Sequence, residues 1–423
     1  MMINKINQLI FLISLTASCA FFVKRIETPL ISKEDYIKSI PQIKTYCPIE
    51  QKSTIQITGS SGNSQSVYLD MIQKMGKKLD VFDHLALWGL TQLSVRPDQS
   101  TPSARLQILV HNQDKTHYFD FYSESNDDQY PYLYGIEWIL KKFGKHQRLE
   151  YYAQILNSSL GENLLIGKDL ESFLIQNQQK IKINAELTPY FFRGTEILKE
   201  NESTPSLDYA KVIAEYRKVQ NKQKIIIGSS LTPFVTEQGR LGSCNYDFNL
   251  YKNSIFLIDK VIPVANLFGL AGTSGSFMAS SSQKLDQMQS LKGFPLFKGE
   301  SKVRSSAVCI IEKEQDKIWT FSNQSRDPGQ HLFHLVRYGL LNSSSVSDVD
   351  RLLRYSRHLL LSDPLRLIIE SQRSTKNQLE EILKLDLPSY NAQSLGNIWA
   401  YTFFSNQSRF IIDDRNPGSF ACK

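Results

Sequence analysis

Three short stretches carry polar groups from which a catalytic centre could be assembled. YFFRGTEI contains Arg193, FMASSS (Phe277 to Ser282) ends in three hydroxyls with Ser281 at their centre, and IIEKE carries the carboxylates Glu312 and Glu314. A guanidinium, a row of hydroxyls and a carboxylate pair can together hold anionic oxygens and stabilise positive charge as it develops. His331 and His334 sit at i and i+3 on the helix that Asp327-Pro328 opens, so they share a face and could ligate a metal. No third ligand follows at a telling spacing, so packing or capping is their expected role and no metal site is expected. Gly59 to Gly62 and Gly269 to Gly275 lie beside strands where backbone amides could cradle an anion, but neither ends in the Lys of a P-loop. Ser281-x-x-Lys284 has the spacing of penicillin-recognising enzymes without their other elements. Arg351, Arg354 and Arg357 form a stripe expected to be a solvated face.

In chain order, Arg193, Ser280 to Ser282 and Glu312-x-Glu314 resemble the Arg, Ser-Thr-Ser and Glu-x-Glu elements of ADP-ribosyltransferases. That resemblance implies that Arg193 holds the phosphates of NAD and that the Ser281 hydroxyl run positions the nicotinamide ribose. It implies too that Glu314 bonds the ribose hydroxyl, with Glu312 assisting the acceptor. GSCNYDF (Gly242 to Phe248) is similar both to the GSxN of phospholipase D and to the Asn-x-Asp-Phe of acid-ceramidase-like amidases. The phospholipase His-x-Lys is absent, and the amidase nucleophile position reads GSSLTP around Ser229.

The amino end bears on the address of the protein. Lys5 and the terminus supply positive charge, and Leu9 to Leu15 form an apolar core shorter than the roughly 20 residues needed to cross a bilayer. Small residues follow at Thr16, Ala17 and Ser18. The segment LTASC resembles the lipobox of bacterial lipoproteins, which implies that Cys19 carries lipid and begins the mature chain. A signal peptidase could instead cut after Ala20, leaving Phe21 first. With Cys19 lipidated, Cys47, Cys244, Cys309 and Cys422 remain, an even set suited to two disulfides in an oxidising compartment, with three pairings open.

The elements that would position these groups follow from hydrophobic periodicity. TIQIT reads as a strand, SVYLDMIQKM as a helix, ARLQILVHNQDKTHYFDFY as a hairpin turning around Asn112 to Lys115, and YPYLYGIEWILKKFG and GKDLESFLIQNQQ as helices. LDYAKVIAEYRKV is an amphipathic helix. QKIIIG and SIFLIDKVI read as strands, and AVCIIEKEQDKIWTF as two strands turning around Glu314 to Lys317. Asp327-Pro328 caps one helix. Ser347 and Asp350 cap another, whose apolar positions Val349, Leu352, Leu353, Leu359 and Leu360 extend to Asp363-Pro364. A third helix runs to about Leu385, and IWAYTFF and RFIID return to strands.

The 423 residues, 41% of them hydrophobic, suit two packed domains rather than a disordered chain. The expected layout is a signal peptide at 1–18, a Pro-containing tether at 19–52, an α+β domain at 53–200 and a more α/β-like domain at 205–423, parted by KENESTPS (Lys199 to Ser206). Charge of +7 from 49 basic and 42 acidic residues is dispersed, which favours an anionic envelope surface or a protein partner and not nucleic acid. A mixed α/β protein exported to the cell envelope, attached to the membrane through Cys19 and working by binding or scaffolding without a cofactor, is the leading expectation. A secreted transferase or hydrolase, using NAD only if it follows the ADP-ribosyltransferase pattern, is the alternative.

Overall fold

Period-two alternation of side chains builds two antiparallel sheets that share one apolar layer. The computed structural model describes residues 55–422 apart from 60–62, 76–77, 113–114, 126–127, 161–163, 206, 236–240, 248–264, 273–274, 286–288, 292–293, 303–305, 314–315, 324, 326, 363, 406 and 416–418. In chain order the elements begin with β1 (Ile55–Gly59), α1 (Ser64–Met75), α2 (Val81–Val95), β2 (Arg105–Asn112), β3 (Lys115–Tyr122), α3 (Pro131–Phe143) and α4 (Leu149–Ser159). There follow α5 (Lys168–Gln176), α6 (Gln178–Lys182), α7 (Thr188–Phe191), β4 (Phe192–Arg193), β5 (Glu196–Ile197), α8 (Tyr209–Val219), β6 (Ile226–Gly228), β7 (Thr232–Val235), β8 (Leu241–Cys244), β9 (Asn266–Gly272) and β10 (Gly275–Ser282). The last are β11 (Ala307–Lys313), β12 (Asp316–Asn323), α9 (Pro328–Arg337), α10 (Val346–Leu353), β13 (His358–Ser362), β14 (Leu365–Ile369), α11 (Lys376–Leu383), β15 (Ser389–Asn391), β16 (Asn397–Phe404), β17 (Gln407–Ile411) and β18 (Ser419–Cys422).

Seven strands pair in the order β18-β1-β9-β10-β2-β3-β6, and six in the order β17-β16-β12-β11-β8-β7. Along β2, Leu106, Ile108 and Val110 face a core made with α1 to α4 and α8, while Leu109 faces the other sheet. Along β11, Val308 and Ile310 point inward, and Cys309 and Ile311 pack with α9 and α10. Strands apolar on both faces therefore sit between helical layers, which gives a helix–sheet–sheet–helix sandwich of mixed α/β class. A side-chain amide ties the sheets together. Gln56 of β1 donates to the Phe410 carbonyl and accepts from its N–H, standing in for a backbone partner. All fifteen residues of α2 are buried, and its Trp88 donates to the Thr58 carbonyl at 3.1 Å. Gly135 lets α3 approach β3, because a Cβ there would lie 2.6 Å from the Phe121 ring.

The expected boundary near 200–205 does not divide this sheet. Strands β1, β2 and β3, from the expected 53–200 domain, share it with β6, β9, β10 and β18 from the expected 205–423 domain, because backbone pairing joins strands whatever their separation in sequence. The described residues of 43–354 and 396–423 form one unit, and those of 355–395 another. In the smaller unit β13, β14 and β15 form a sheet, with β14 and β15 parallel and α11 as the crossover between them. Leu379 of α11 packs on Ile369.

The strand, hairpin and helix expectations through Gly228 hold, as do the hairpin of β11 and β12, the Asp327 cap and the two strands of the tail. SIFLIDKVI lies outside the described residues. The helix expected to reach Leu359 and Leu360 ends at Leu353, capped at its start by Ser345 rather than Ser347, and those two leucines belong to β13. Arg357 accordingly follows the helix and does not extend an arginine face. Among the described residues no helix is long and apolar enough to cross a membrane.

Candidate functional site

A concentration of buried polar side chains lies at one end of the inter-sheet layer, where β11 begins and β12 ends. In register, Ser280 of β10 stands opposite Gln107 of β2, and Ala307 opposite Ser322. Ser306, one residue before β11, therefore meets the end of β10 across the gap between the sheets. Its hydroxyl lies 2.7 Å from that of Ser280, and its N–H donates to Gln107 Oε1 at 3.0 Å. Its carbonyl accepts from Asn245 at 3.0 Å and from Gln107 Nε2 at 3.4 Å.

Asn245 is placed by a covalent link. Cys244 of β8 and Cys309 of β11 are paired residues joined by a disulfide, with Cα atoms 4.1 Å apart. The adjacent Asn245 then accepts from the Val308 N–H at 2.9 Å and donates to the Tyr118 hydroxyl at 3.1 Å. Tyr118 leads to Asp120, which binds Arg105 through two 2.7 Å bonds. Burial pushes the Tyr118 phenol up, and the Asp120 carboxylate adds to the rise. Burial works against the Arg105 charge, but Asp120 more than offsets it and the pKa is raised. This part of the rim is a closed network: Ser306, Ser280 and Gln107 have no exposed surface.

Asn323 ends β12 on the same rim and donates to the Ala265 carbonyl, just before β9, at 3.2 Å. Two residues on, Ser325 Oγ lies 2.6 Å from His331 Nε2. Local chain direction explains the pair. Asp327 caps α9 through the Gln330 N–H, Pro328 fills the first helical position, and one turn into the helix His331 points back at the segment that leaves β12. Both side chains are nearly buried, at 5% and 1% exposure. A serine hydroxyl bonded to an imidazole is the minimal nucleophile–base arrangement.

The residues singled out in the sequence are dispersed. Arg193 lies on β4 at 62% side-chain exposure and pairs with Glu202. Ser281 points to the helical side of β10, where it bonds Ser100 at 2.6 Å. Glu312 is exposed on β11 and accepts from Thr116. These three have separate partners, and Glu314 lies outside the described residues. Cys19 and Cys47 also lie outside them, while Cys422 is disulfide-bonded. His331 contacts Ser325, and His334 lies against the tilted rings of Phe333 and Tyr338. The sequence showed the helical spacing of the two histidines but gave no sign that the chain brings Ser325 back to one of them.

No family model and no curated protein matches the chain. Solved structures do share its architecture. LmbA2991T421A superposes with a TM-score of 0.62 at 8% identity, covering 90% of this chain and 100% of that one. LmbA2991HD gives 0.58 at 8% identity with the same coverage. Cephalosporin acylase from Bacillus halodurans gives 0.54 at 10% identity, covering 91% of this chain and 99% of its own. At these identities the likeness is one of fold alone.

Proposed function

We propose that the protein is an exported hydrolase that cleaves an ester or amide bond at the rim of its sandwich, with Ser325 as nucleophile and His331 as general base. The observation that carries this reading is the 2.6 Å contact between Ser325 Oγ and His331 Nε2. In the proposed reaction Oγ attacks the acyl carbon while Nε2 takes its proton, which then passes to the leaving group as the acyl–oxygen or acyl–nitrogen bond breaks. Water, activated by the same imidazole, releases the acid. Support for the reaction class comes from the fold shared with a cephalosporin acylase. Support for export comes from the Cys244–Cys309 disulfide, and lipidation at Cys19 would attach the protein to the envelope membrane.

A second reading, a binding or scaffolding protein of the envelope, is favoured by the closure of the neighbouring Ser306, Ser280 and Gln107 network. Turnover of a panel of acyl p-nitroanilides and p-nitrophenyl esters separates the two. Hydrolysis that falls by about 1,000-fold or more in Ser325→Ala is the expected result. An inert, folded protein favours the scaffold. Turnover of NAD that is lost in Glu314→Gln would instead support the transferase alternative.

A further inference from the structure

We propose that the face formed by the start of β3 and the end of α3 docks the protein body on an anionic lipid surface. Lys142 Nζ stands 4.6 Å from the Trp138 ring centroid, 5.3 Å from that of Phe143 and 5.6 Å from that of Phe119. His117 stacks on Phe119 and lies 5.0 Å from Phe143, which stacks in turn on Phe82. An aromatic floor thus carries an ammonium group above it.

More cations surround it. Lys115, Lys141, Lys145, His146 and Arg148 are all exposed, and no carboxylate occurs between Trp138 and Leu149. The flanking acids are engaged: buried Glu137 pairs with Arg217 and Lys141, Glu150 pairs with Arg217, and Glu312, which accepts from Thr116, faces Lys317. Burial, together with the charges of Lys142 and Lys115, lowers the pKa of His117, as concentrated positive charge should.

The geometry favours lipid over other polyanions. An exposed ammonium held over the half-buried rings of Trp138 and Phe143, with further exposed cations around it, matches the boundary between headgroups and acyl chains. A single-stranded nucleic acid needs open ring faces on which to stack, and Lys142 covers Trp138. The contact is independent of acylation at Cys19 and of hydrolysis at Ser325.

Flotation of the mature chain, from residue 19 onward with Cys19→Ser, with phosphatidylcholine vesicles, with or without phosphatidylglycerol, tests the proposal. Binding is expected only to the anionic vesicles and is weakened by salt. Each ammonium at such a surface contributes about fivefold. The triple variant Lys115→Gln, Lys142→Gln, Lys145→Gln should therefore lose on the order of 100-fold in partitioning, and Lys145→Gln alone, which disturbs no ring contact, about fivefold. Equal binding to neutral vesicles would overturn the proposal. So would unaltered binding by both variants, or capture by a soluble anionic polysaccharide with no binding to vesicles.

Discussion

Ser280 and Ser281 are neighbours in sequence but serve opposite sides of one strand. The first reaches across the gap to Ser306, and the second bonds Ser100 against the helices. A hydroxyl run therefore does not become a site merely by being a run, since alternate members face different partners. Histidine roles divide by environment in the same way. His331 meets Ser325, whereas His84 lies buried with Nδ1 2.9 Å from the Tyr68 hydroxyl. Burial lowers the His84 pKa to about 4, with nearby Asp83 opposing the shift. Because the folded protein holds the neutral ring, its contribution to stability is complete above the unfolded value near 6.5. It is lost as pH falls from there through about 4, the unfolded chain binding the proton first. The loss amounts to roughly 3 kcal/mol at most. Half-buried His358, also lowered to about 4 by desolvation, acts in the same direction in the smaller unit. Urea titrations at several pH values should show a shallower acid slope in His84→Gln than in the parent. Identical slopes would remove His84 from the explanation.

Strands and helices with one strong pattern were readable from the sequence, and elements defined by distant partners were not. The hairpins of β2 with β3 and β11 with β12 announce themselves through adjacent apolar runs separated by a polar turn. Helix α10 and strand β13 read as one helix in the sequence because Val349, Leu352, Leu353, Leu359 and Leu360 satisfy a helical period even though the chain between them turns. A short leucine run cannot by itself distinguish helix from strand. The disulfide between β8 and β11 was legible as two available cysteines, but its pairing depends on the register of strands 65 residues apart. Closing a loop of that length stabilises the fold by about 4 kcal/mol in the chain-entropy model. Reduction, or the double change Cys244→Ala and Cys309→Ala, should therefore lower the urea midpoint substantially. Protection of the Val308 amide from hydrogen exchange should fall with it, because its acceptor Asn245 loses its fixed position. An unmoved midpoint would show that the surrounding sheet carries the register without the bond.

Across the molecule, the mixed class could be read from composition and pattern, but the sandwich could not. Its sheet order places β1 between the last strand and β9, an arrangement that no local window contains. The same non-local closure hid the Ser306 part of the rim, at the entry to β11, whereas Ser325 and His331 lie close in sequence and meet through the local turn between the end of β12 and α9. The proposed export concerns the whole chain, and under that proposal mass spectrometry of the amino-terminal peptide should find an acylated Cys19. An unmodified start at Phe21 would mean secretion without the anchor.

The hydrolase proposal stands or falls on the reactivity of one hydroxyl. A fluorophosphonate should react with the folded, full-length protein, and peptide mapping should place the adduct on Ser325. Labelling should disappear in Ser325→Ala and drop sharply in His331→Ala, while the circular dichroism of both variants matches the parent. An unlabelled parent, or an adduct on Ser325 that forms equally fast without His331, would contradict the assignment.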